Sequence, residues 1–218
     1  PVTGATVNVE TIRPDGSKVV QKARDDGFMG DRMPMDGAYT MVFSDFNGNG
    51  KYTFIVKANN PDGKATKGQA FKEIPPDGAN TRVSQSPLGN FLLFGKLTAV
   101  VTGYDKSKVI PPGRINSLEV KNYGKDWVEI TWLATGSSAY SGRAKSYLIM
   151  HSPNSFFSKS AVKDISKITP KMQPAPAGTR ETYKISHLNG KCVYIMIKVK
   201  NAAGVWSDYS NEVYVDLK

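Results

Sequence analysis

Hydrophobic and polar positions alternate with a period of two through most of this chain, and the alternation marks out its strands. In ATVNVETI, Ala5, Val7 and Val9 share one face and Thr6, Asn8 and Glu10 the other. RPDGSK supplies a turn at Asp15 and Gly16, after which SKVVQKA is expected to return as the next strand. YTMVFSDF and KYTFIVKAN read as two more strands joined across NGNG as a hairpin. In the second of them Tyr52, Phe54, Val56 and Ala58 oppose Thr53, Ile55 and Lys57. From Asn59 to Asn90 the chain is polar and broken by Gly and Pro, which reads as a long functional or mobile loop. GNFLLFGKLTAV then restores an apolar strand or two and closes a first domain near Gly103.

The second half is more regular. RINSLEVKNYG, DWVEITWLA, AKSYLIMHS, ETYKISHL, KCVYIMIKVKN and SNEVYVDLK are short strands spaced by turn residues, the pattern of an all-β sandwich. Val128, Ile130 and Trp132 are expected to point inward, as are Val193, Ile195, Ile197 and Val199. Leu188 followed by Tyr194 reads as a tyrosine corner. One stretch breaks the rule: Val162, Ile165 and Ile168 recur every third residue and Lys159, Lys163, Lys167 and Lys171 every fourth, predicting a short helix that ends at Pro170. Beside it, Phe156 and Phe157 are expected to pin this insertion to the core. The fold class is therefore all-β, with two tandem antiparallel β-sandwiches over 1–103 and 113–218. Residues 104–112 form a linker that Pro111 and Pro112 hold extended.

The length, 218 residues, suits two domains of roughly 100 residues. No apolar run approaches the roughly 20 residues that span a bilayer, so no transmembrane segment is expected. The start at Pro1 without Met and without a signal-peptide pattern points to a processed or excised piece of something larger. Net charge is +10, with 14 Lys and Arg against 11 Asp and Glu through Ile110 and 15 against 8 beyond it. The basic second half favours anionic polymers or surfaces as partners. Cys192, the one cysteine, lies in an alternating run and reads as a buried, inert thiol.

The densest chemistry is in DDGFMGDRMPMDGAY, Asp25 to Tyr39, where Asp25, Asp26, Asp31 and Asp36 stand among Gly27, Gly30, Pro34 and Gly37. Asp oxygens there either hydrogen-bond their own backbone to hold turns, the favoured reading, or converge on a structural Ca²⁺. No other cofactor is called for. Asp45, Asn47, Asn49 and Gly50 match the first half of a calcium loop, but Val56 occupies the position of its closing Glu, so a hairpin turn is expected instead. No GxSxG elbow exists, and His151 and His187 read as strand-edge residues, so no enzyme is expected. The lysines at 159, 163, 167 and 171 either face sulfated or sialylated glycans or form a solvated helix face. Stacking platforms and base-reading motifs for nucleic acid are not evident.

From Pro112 onward the chain resembles a fibronectin type III domain, carried by PPGRINSLEV, Trp132, the Leu188 and Tyr194 pair and VKNAAGVWSDYSNEV. In order, PVTGATV, DDGFMGDRMPMDGAYT, NGNGKYTFIVKAN, LGNFLLFG, IPPGRINSLEV and SGRAKSYLIM resemble the C-terminal part of the calcium-activated chloride channel regulator family. The resemblance implies a secreted or surface-attached protein whose N-terminal metalloprotease region and von Willebrand factor A domain precede such a tail. The protease motif HExxH and the metal-binding DxSxS are absent here, so neither activity is assigned to this chain. What it implies is a non-enzymatic extracellular module that mediates protein contacts or assembly with other chains in a matrix or mucus setting. The alternative is an adhesive module that binds glycans or polyanions through its basic second domain.

Overall fold

A computed structural model describes residues 1–68, 85–158 and 164–217. The first half carries β1 (Val2–Thr3), β2 (Thr6–Ile12), β3 (Lys18–Ala23), β4 (Gly50–Asn59), β5 (Thr66–Gly68), β6 (Gln85–Pro87) and β7 (Leu92–Val101). The second carries β8 (Glu119–Tyr123), β9 (Trp127–Leu133), β10 (Ser146–Ser152), β11 (Ser166–Ile168), β12 (Arg180–Ser186), β13 (Cys192–Lys200) and β14 (Val213–Asp216). No helix occurs among the described residues. The chain divides into two compact units, Pro1–Met41 with Phe46–Lys106, and Val42–Asp45 with Ser107–Lys218.

In the first unit β3-β2-β4-β7 make a four-stranded antiparallel sheet and β1-β5-β6 a three-stranded one. The period-two pattern dictates its core face: Val7 and Val9 on β2 stand opposite Ala58 and Val56 on β4, and Tyr39 and Met41 pack against them. The β2–β3 turn is closed by Asp15, which accepts from the Ser17 hydroxyl (2.6 Å) and amide (2.9 Å) and from Asn47 Nδ2 (2.6 Å). Those donors hold its carboxyl down to about 2. YTMVFSDF is not a strand; of it only Thr40 forms a bridge, with Arg24. The expected hairpin with β4 is likewise absent, because β2 and β7 already occupy both edges of β4. The NGNG segment folds instead around the buried Tyr52, whose hydroxyl accepts from the amides of Asn47 (3.0 Å) and Gly48 (3.2 Å). The stretch expected as a loop from Asn59 to Asn90 contains β5 and β6, and its residues 69–84 lie outside the described part.

In the second unit β12-β9-β8 and β11-β10-β13-β14 form the two sheets of a fibronectin III-like sandwich. Val128, Ile130, Trp132, Val193, Ile195, Ile197 and Val199 fill its core as their alternation predicts. Trp132 meets Tyr147 edge to face at 5.1 Å. Four local expectations fail. The inward position at the corner is held by Val193, so Tyr194 faces the other way and its ring lies 4.9 Å from that of Tyr214. Cys192 shares that outward side of β13 and is half-buried, its thiol 3.5 Å from the Pro153 carbonyl, not a core residue. Ser166–Ile168, expected as helix, is extended and pairs with Ile149–His151. Phe157 is not pinned to the core but stands 77% exposed.

The stretch expected as linker ends bound into the second unit. The Pro111 carbonyl accepts from Ala139 N (2.8 Å), Gly113 N donates to Ala139 O (2.6 Å), and the Asn201 amide reaches Ile110 O (3.4 Å). Gly113 leaves no room for a Cβ, which would collide with the Tyr140 ring.

Candidate functional site

The Asp25 to Tyr39 loop is closed at its base by reciprocal backbone bonds between Arg24 and Thr40 (2.8 and 2.7 Å). Within it the four carboxylates serve the loop's own donors. Asp25 accepts from the amides of Asp36 (3.0 Å) and Gly37 (3.2 Å), and Asp26 from Phe28 N (3.1 Å) and Arg24 Nη1 (2.7 Å). The buried Asp31 accepts from the amides of Gly27 (2.7 Å) and Arg32 (3.0 Å), and Asp36 from Ala38 N (2.8 Å). Burial pushes the Asp25 carboxyl up against the pull of its two amide donors, and the charges of Asp36 and Asp31 add to the rise. Gly37 must be glycine, since its φ is 80° and an added Cβ would lie 2.6 Å from Pro1. This is turn architecture in the sense the sequence suggested. Among the described residues no three His, Cys, Asp or Glu side chains are grouped to hold a metal ion.

Only half of the lysine ladder falls on described residues. Lys159 and Lys163 lie outside the described residues, Lys167 sits on the extended β11 and Lys171 follows in an exposed turn. Other lysines of the second unit rest on aromatic rings: Lys184 over Trp127 (4.0 Å), Lys198 over Tyr209 (4.5 Å) and Lys200 over Trp206 (5.0 Å). Beside Tyr209 a cavity of about 450 Å³ is lined by Met150, Met196, Phe156, Phe157, Ile165 and Arg114. His151, on β10, has its pKa pushed down by burial, and His187 occupies an exposed turn at φ 60°. Among the described residues His151, His187 and Cys192 form no group of three that could hold a metal ion.

One surface was not foreseen from the sequence. β7 reads LLFGKLTAVV, and apolarity of that kind predicts burial, yet Leu93 is 63%, Phe94 67%, Leu97 64% and Val100 72% exposed. The cause is its place in the sheet: among the described residues β7 is the last strand of β3-β2-β4-β7, with β4 on one side only. An outer strand presents a row of unpaired backbone groups, and proteins usually blunt it with charge, shortness or a bulge. The other outer strands among the described residues follow that rule. On β3, Lys18 and Lys22 flank the exposed Val20; β8 is interrupted between Val120 and Asn122; β12 carries Arg180 and Lys184. β1, β6, β11 and β14 span only two, three, three and four residues. β7 runs ten residues in unbroken register with β4, and Lys96 is its single charge.

No family model matches the chain. Calcium-activated chloride channel regulator 3A-1 of Mus musculus is 27% identical over 243 residues, covering 97% of this chain and 26% of its own length. Calcium-activated chloride channel regulator 1 of Bos taurus gives the same identity and the same coverage. Regulator 4 of Homo sapiens is 24% identical over 245 residues, covering 100% of this chain and 26% of its own length. The chain thus spans about a quarter of the length of the curated relatives it matches. Among solved structures, the FN1-FN3 domains of chicken CNTN1 align over 98% of this chain and 56% of that one, with a TM-score of 0.37 and 16% identity. The third fibronectin III domain of human KIAA0343 protein aligns over 53% and 90%, with a TM-score of 0.36 and 14% identity. Likenesses this loose add nothing to the strand order already described. Over nearly its full length, the homologues of this chain are the calcium-activated chloride channel regulators.

Proposed function

We propose that this chain is a non-enzymatic, extracellular interaction module of a secreted protein like the calcium-activated chloride channel regulators, making protein contacts in a matrix or mucus setting. The observation that carries the proposal is the unblunted outer strand β7, which leaves five large apolar side chains, Leu92, Leu93, Phe94, Leu97 and Val100, and a row of backbone groups available for contact. The Asp loop acts here as architecture that carries Tyr39 onto the sheet, where its hydroxyl accepts from Ala5 N at 2.8 Å. Calcium is no part of the proposal.

Salt separates this reading from polyanion binding through the basic second half. Between ~0.1 and ~1 M salt the screening length falls from about 10 to about 3 Å, which weakens exposed charge contacts and leaves apolar strand contacts standing. Surface plasmon resonance on immobilised secreted mucin is expected to show binding that persists across that range. Binding that disappears at the higher salt, or no binding at either, contradicts the proposal.

A further inference from the structure

We infer that β7 is an acceptor edge for a strand donated by a partner: an extended segment, apolar at alternate positions, with a carboxylate opposite Lys96. The inference rests on the module reading above and narrows it to one edge and one mode of contact. Adding a strand to an open edge supplies main-chain hydrogen bonds for affinity and side-chain pairs on both faces for choice of partner.

The pairing register states what each face offers. Leu93 and Leu97 lie opposite Ala58 and Phe54, so they extend the core face of the sheet outward by one row. Phe94, Lys96 and Val100 lie opposite Lys57, Ile55 and Lys51 on the other face. An incoming strand therefore meets apolar side chains on one face. On the other it meets apolar side chains interrupted by an ammonium group.

Charge decides which strand fits. That second face carries Lys18 and Lys22 on β3, Lys51 and Lys57 on β4 and Lys96 on β7, against Glu10 on β2. Glu10 is already engaged with Lys18 at 3.0 Å. A donated strand with a carboxylate opposite Lys96 meets an uncompensated field at close range. A second copy of this chain does the opposite. Antiparallel pairing of two β7 strands across a two-fold axis continues each lysine-bearing face into the other, between molecules of net charge +10. An acidic, alternately apolar strand is thus favoured over self-pairing.

The probe is a capped peptide of β7's length that alternates Val and Thr and carries Glu at the position facing Lys96. Two controls replace that Glu by Lys, or place Pro at alternate positions so that the ladder is not formed. Added to the ¹⁵N-labelled chain, the Glu peptide is expected to shift the amide signals of Leu92–Val101 and slow their hydrogen exchange. The Lys peptide is expected to bind roughly tenfold more weakly, and the Pro peptide not at all. Leu97→Lys and, separately, Val100→Lys abolish the effect, while Val20→Lys on the opposite outer strand leaves it intact. The inference is overturned by no binding, by shifts that fall elsewhere, by equal binding of the Lys peptide, or by a concentration-dependent dimer in sedimentation equilibrium that Leu97→Lys dissolves. The peptide assay needs no mucin. Peptide failure alongside salt-resistant mucin binding therefore removes the acceptor edge alone, whereas salt-sensitive mucin binding removes the module reading itself.

Discussion

Trp132→Ala is expected to destabilise the second unit by about 3–5 kcal/mol, the range for truncating a large buried aromatic. The side chain is fully buried in β9, at the centre of the core that β9 and β13 build from alternate residues, and its ring meets Tyr147 edge to face. Truncation removes that apolar area and leaves a void which the flanking Ile130 and Ile197 do not fill without leaving their own positions. In urea the midpoint should fall while the slope stays unchanged, the mark of lost stability without a change in the surface exposed on unfolding. A midpoint within error of wild type would show that the sandwich core is not packed around this residue.

Tyr147→Phe carries the second largest effect. The Tyr147 hydroxyl donates to Oε2 of Glu181, a carboxylate that is itself buried and whose Oε1 accepts from Ala175 N at 2.8 Å. Deleting the hydroxyl leaves Oε2 without that donor, which costs about 1–3 kcal/mol and more when the orphan is charged. Because the penalty belongs to the orphaned partner, Tyr147→Phe combined with Glu181→Leu should cost less than the two single changes added together. There is a pH signature as well. Burial, and then the bond to Glu181, raise the Tyr147 phenol above its ordinary value of 10. The folded state then holds a proton that the unfolded chain releases, so stability is full below pH ~10 and falls as pH rises above it. In Tyr147→Phe that alkaline decline should be shallower; an identical decline would remove the phenol as its source.

Most of the strands were legible because each buries one face, and one buried face writes a period of two into the sequence. β2, β4, β9 and β13 are the clearest cases. What failed depends on pairing order, which the period does not encode. YTMVFSDF alternates well enough for a strand, but β2 and β7 leave no free edge on β4, and Ser44 instead donates to the Ser138 carbonyl at 2.7 Å within the second unit. The lysine and isoleucine spacing near Pro170 imitated a helix, while Ser166–Ile168 found a partner in β10. In the Asp loop the local turn chemistry was readable from Asp and Gly alone, because Asp26, Asp31 and Asp36 accept from amides within four positions of themselves, whereas the closure by Asp25 across to Asp36 and Gly37 was not. The exposure of β7 was not readable, since LLFGKLTAVV is written like a buried strand and only its outermost place in the sheet leaves it open. The candidate contact surface therefore lies where local pattern and tertiary order disagree, which is where functional sites are expected.

That β7 is the contact surface of this module is tested most directly by measuring mucin binding of the wild-type chain, Leu97→Lys and Lys171→Ala side by side at ~1 M salt, where exposed charge contacts are screened within about 3 Å. The predicted result is a loss of roughly tenfold or more in affinity for Leu97→Lys, with Lys171→Ala matching wild type. Unchanged binding by Leu97→Lys, with the loss falling on Lys171→Ala, would contradict it.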